Sequence, residues 1–101
     1  MTTIQVLRDA RALVAIGWCR IHPAVDSANC PCPAEEACRW CLYGSLMAAC
    51  AGNTELREDA YNRIADTLGE SPIGFNDAPG RTQAEVLAAF DKAIASLEQP
   101  A

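Results

Sequence analysis

The sequence predicts an all-α protein, a compact bundle of about four helices with a long Cys/Pro-rich loop between the first two. Three observations lead there. Half of the residues are hydrophobic but only 6% are aromatic, and alanine dominates the apolar set, which suits close-packed helices better than a Val/Ile/Thr-rich sheet. Apolar residues recur at helical spacing in several stretches, and most of these begin at recognisable caps. With 101 residues there is room for one core, so residues 1–101 are expected to form a single domain.

Thr2 and Gln5 have the spacing of a capping box, and Ile4, Leu7, Ala10 and Val14 follow on one face, so a helix is expected over 3–16 with Gly17 as its stop. From Trp18 to Pro33 the chain carries Pro23, Pro31, Pro33, Asp26, Ser27 and Asn29 with no sustained period, and this predicts a long loop. Pro33 in a first helical turn, with Glu35 and Glu36 near the positive end of the dipole, predicts a second helix over 33–50. Its buried side should hold Ala37, Cys41, Gly44, Ser45 and Ala48, with Leu42 and Met47 beside them.

Asn53 and Thr54 follow Gly52 as a break and a cap, and Leu56, Ala60, Ile64 and Leu68 at successive i+4 positions predict a helix over 54–68 closed by Gly69. Pro72, Gly74, Asn76, Asp77, Pro79 and Gly80 predict an ordered loop pinned by Ile73 and Phe75. Thr82-Gln83-Ala84-Glu85 is a full capping box, and Val86, Leu87, Phe90, Ala93, Ile94 and Leu97 carry a helix over 82–98.

The formal charge is −5, and the eight Lys and Arg residues are dispersed singly. Nucleic-acid binding normally needs clustered cations to displace phosphate counterions, so no direct nucleic-acid partner is expected. The start of the chain has no basic segment followed by an apolar run, and no stretch is long and apolar enough to span a bilayer. The expectation is a cytoplasmic protein without a membrane partner.

Cys30-Pro31-Cys32 and Cys38-Arg39-Trp40-Cys41 supply the residue types that hold Zn²⁺ as four thiolates. The C-x-C pair between prolines is a weaker signature than a pair of C-x2-C knuckles, and Cys19 and His22 are alternative ligands. Free thiols are the leading expectation, ahead of zinc held by Cys30, Cys32, Cys38 and Cys41, and ahead of disulfides, which a reducing compartment disfavours. Cys50, on a core face, reads as a small hydrophobe. No catalytic residue is assigned: His22 is the only histidine and stands before Pro23, and the acidic pairs Glu35/Glu36 and Glu58/Asp59 lie in early helical turns where the dipole accounts for them.

Three segments carry a family resemblance. They are Gly17-Trp18 at the end of the first helix; Trp40-Cys41-Leu42-Tyr43-Gly44-Ser45-Leu46; and Phe75-Asn76-Asp77-Ala78-Pro79-Gly80-Arg81-Thr82, followed by Glu85-Val86-Leu87 and Ala93-Ile94. The chain resembles a family of small bacterial and phage-borne proteins of unknown function, with Phe75 where that family more often has Trp and Ser45 where it has Ala. The resemblance implies no activity.

Asn76 and Asp77 before a turn suit local backbone hydrogen bonding, with Arg81 available to pair with Asp77. The functional alternative is a small polar pocket formed by Asn76, Asp77, Arg81 and Thr82 against the second helix. Small size, acidity and the lack of a catalytic constellation point to a non-catalytic protein that binds a protein partner, for example a mobile-element-encoded inhibitor of a host defence complex such as an anti-CRISPR. A zinc-stabilised module and a ligand binder or enzyme using the Asn76-Asp77 segment are the alternatives.

Overall fold

The computed structural model describes residues 1–98 and is predominantly helical. The elements run α1 (Thr3–Ile16), β1 (Ala24–Val25), a 3-10 turn (Ala34–Glu36), β2 (Arg39–Trp40), α2 (Leu42–Ala49), α3 (Thr54–Leu68), α4 (Pro72–Asp77) and α5 (Gln83–Glu98). Helix α1 is the centre of the bundle and packs on α2, α3 and α5. It buries Val6, Leu7, Ala10 and Val14 against Leu42 and Leu46 of α2, Ala60 and Ile64 of α3, and Val86, Phe90, Ala93 and Ile94 of α5. Burying each large side chain of this set removes about 1.5–3 kcal/mol of apolar hydration cost, so the core is where most of the stability originates.

Caps define the helix starts. The Thr2 hydroxyl accepts from the Gln5 amide at 3.2 Å, and the Asn53 side chain accepts from Leu56 at 3.1 Å. At α5 the box is complete: Glu85 N–H donates to the Thr82 hydroxyl, and the Glu85 carboxylate accepts from Thr82 N–H.

Three expectations are corrected. The helix expected to start at Pro33 begins only at Leu42. Pro33 is followed by one 3-10 turn, after which the chain extends at Ala37. Cys38 N–H then donates to the Val25 carbonyl at 2.9 Å and Trp40 N–H to the Gly17 carbonyl at 3.0 Å, so sheet bonding takes the amides that a helix would have used. The helix has an unusual cap, the Cys41 thiol, which accepts from Gly44 N–H at 3.3 Å. Met47, expected in the core, is 40% exposed.

The Trp18–Pro33 segment is also more ordered than a loop. β1 pairs antiparallel with β2, Val25 bridges Pro31 on the other side, and Trp18 bridges Trp40 in parallel. Two two-residue strands, extended by single bridges at Trp18 and Pro31, thus make one small sheet before the N-terminal end of α2. The third correction lies at 70–81, where Ser71 caps a short helix, α4, with Pro72 in its first turn. Ile73 does not pin it, being 45% exposed; Phe75 is the residue that packs on the core.

Candidate functional site

The three segments singled out in the sequence meet at one side chain. Asn76, on α4, is 1% exposed. Its Oδ1 accepts from the Trp18 indole Nε1 at 2.8 Å and from the Leu42 amide at 3.0 Å. Its Nδ2 donates to the Cys19 carbonyl at 3.3 Å and to Asp77 Oδ1 at 2.9 Å. An amide side chain has two donors and two lone pairs; all four are used, and they tie α4 to the first turn of α2 and to the Trp18–Cys19 segment that leaves α1. The Asn76 amide is therefore saturated by the protein's own groups.

Asp77 continues the junction. Its Oδ1 also accepts from the Ile21 amide at 2.9 Å, while its carbonyl accepts from Arg20 Nη2 at 2.7 Å. The Arg20 Nε is buried without a partner among the described residues. Arg81 does not pair with Asp77. Its Nε donates to the Phe75 carbonyl at 2.7 Å, its Nη1 reaches Glu85 at 3.1 Å, and its guanidinium lies 3.7 Å from the Phe75 ring centroid. Thr82 is committed to the cap of α5. The sequence-predicted group thus divides into Asn76 and Asp77 on one side of α4, and Arg81 and Thr82 at the start of α5.

What the junction holds is the turn at Ile21. His22 N–H donates to the Arg20 carbonyl at 2.9 Å, and Ile21 between them has φ +77°. A bond closing over a central residue of positive φ is the rare, strained hand of γ-turn, and a β-branched residue there is a conformational outlier. Ile21 is also 64% exposed, so burial does not repay the strain. The sequence offers no signal for this position, because isoleucine has no propensity for positive φ.

Five of the six cysteines lie in or beside the small sheet, and Cys50 caps the C-terminal end of α2. Cys30 and Cys38 are exposed, Cys19 and Cys32 half-buried, Cys41 and Cys50 buried, and all six are free. Cys41 is committed as the α2 cap, and the Cys19 thiol donates to the His22 carbonyl at 3.3 Å. Burial, followed by the neighbouring Cys41 thiol, pushes Cys19 up to about 11, and burial pushes Cys41 up as well. Burial thus disfavours the thiolate at both positions. Among the described residues no three His, Cys, Asp or Glu side chains converge as a metal requires, so Cys30, Cys32, Cys38 and Cys41 are not assembled into a four-ligand site.

Away from the junction, a trough of about 240 Å³ is lined by Leu68, Phe75, Arg81, Glu85, Ala88, Ala89 and Lys92. No helix among the described residues is long and apolar enough to cross a membrane. In comparisons with known proteins, no curated protein and no solved structure matches the chain. A model described as a family of unknown function (DUF6197) matches residues 1–96, and with nearly the whole chain covered the protein belongs to that family.

Proposed function

We propose that this is a non-catalytic protein that acts by binding a protein partner, with the Ile21 turn as its anchor. The observation that supports this reading is the strained, exposed Ile21 held in place by Asp77. Residues in costly backbone conformations persist where the surroundings over-determine them, and such positions gather at ligand clamps and contact sites. A branched apolar side chain projecting from a fixed turn loses little entropy when a partner pocket closes over it. Ile73, also exposed, stands one turn before Asp77 on α4 and adds apolar surface on that side. An inhibitor of a host defence complex, of the anti-CRISPR kind, is one role of this class.

The test is affinity capture from a lysate of cells that carry the gene, comparing the wild-type chain with Ile21→Gly. Glycine relieves about 1–3 kcal/mol of turn strain. It gives back about 0.5–1 kcal/mol in backbone entropy and a similar amount in lost partial burial. The variant should therefore melt at or slightly above the wild-type temperature and lose the captured protein. Capture of nothing specific by the wild type, or undiminished capture by Ile21→Gly, refutes the proposal.

A further inference from the structure

We propose that the trough between α3, α4 and α5 is a binding site for amphipathic carboxylates, with the tail on its apolar floor and the carboxylate on Lys92. The floor is Leu68, Phe75, Ala88 and Ala89. Ala89 is 3% exposed, and the two alanines leave the space that larger side chains would occupy on that stripe of α5. From Glu85 to Lys92 the stripe runs about 10 Å along the helix, room for a medium-length alkyl chain or an aromatic ring with a short spacer.

The charges select the head group. Arg81 closes one end but is already matched: it lies over Phe75 and pairs with Glu85. Glu85 is already paired, its Oε1 accepting from Thr82 and its Oε2 from Arg81, so its charge is matched within the protein and attracts a cationic ligand only weakly. Lys92, the only lysine in the chain, makes no ion pair among the described residues. One unmatched ammonium at the edge of an apolar floor complements a monoanion; a phosphate dianion would leave charge uncompensated. This trough is on the Arg81 side of α4 and shares no residue with the Ile21 turn.

The experiment is an amide NMR titration of the whole chain with octanoate, using octylamine and acetate as controls. Octanoate should shift Leu68, Phe75, Ala88, Ala89 and Lys92 saturably, and neither control should do so. Lys92→Gln should weaken octanoate about fivefold, the size expected for one solvent-exposed charge pair. Ala88→Leu changes an exposed position to another strong helix former, so it should leave the remaining spectrum intact while filling the trough and abolishing saturable shifts. No shift, shifts centred elsewhere, equal binding of octylamine, or octanoate binding retained in Ala88→Leu would each overturn the proposal.

Discussion

Replacing Asn76 with Ala tests whether one amide organises the junction. The substitution leaves the Leu42 amide and the Trp18 indole N–H without their acceptor and the Cys19 carbonyl without its donor, at a side chain only 1% exposed. A buried polar group that loses its partner costs about 1–3 kcal/mol; with three such groups, two of them only part-buried, the expected loss is about 3–5 kcal/mol. That is a large share of the ~5–15 kcal/mol typical of a domain. Urea unfolding followed by tryptophan emission suits the measurement, since Trp18 and Trp40 are the only tryptophans and both adjoin the junction. Asn76→Asp adds a sign: the introduced carboxylate keeps an acceptor for Trp18 and Leu42 but faces the Cys19 carbonyl and Asp77. Its pKa is raised in the fold, so its penalty is full at neutral pH and eases as pH falls and the carboxyl gains a proton to donate. A loss below about 1 kcal/mol in Asn76→Ala would refute the claim that these bonds hold the junction.

Gly44→Ala should destabilise by about 3 kcal/mol or more, against the helix-propensity gain of about 1 kcal/mol, because a Cβ there overlaps the Pro23 carbonyl. Gly74→Ala, with only ordinary contacts around its Cβ, should be neutral or slightly stabilising in the same thermal melts. Hydrogen bonds from Thr82 hold the Glu85 carboxyl below its ordinary pKa of 4.5. Its contribution is therefore present above that pH and lost as pH falls through the lower folded value, so Glu85→Gln should flatten the acid limb of the stability curve. Elemental analysis with native mass spectrometry of protein purified under reducing conditions should find substoichiometric zinc and a melting temperature indifferent to chelator. One zinc per chain, lost together with stability in Cys30→Ser or Cys38→Ser, would contradict the thiol geometry.

The sequence by itself determined the helices whose signals are local. Thr2, Asn53 and Thr82 place their caps within three residues of the amides they satisfy, and the stripes of α1, α3 and α5 repeat within single helices. Tertiary structure decided the rest. The start of α2 moved from Pro33 to Leu42 because Cys38 and Trp40 donate to Val25 and Gly17, partners at least 13 positions away along the chain, and a two-residue strand carries no periodicity to read. Short-range turn chemistry marked Asn76 and Asp77 as polar and structural, yet their partners, Trp18, Cys19, Ile21 and Leu42, lie 34 to 58 residues away. The strained γ-turn at Ile21 is further still from the sequence, since local preference opposes it and the bonds from Ile21 and Arg20 to the distant Asp77 hold it.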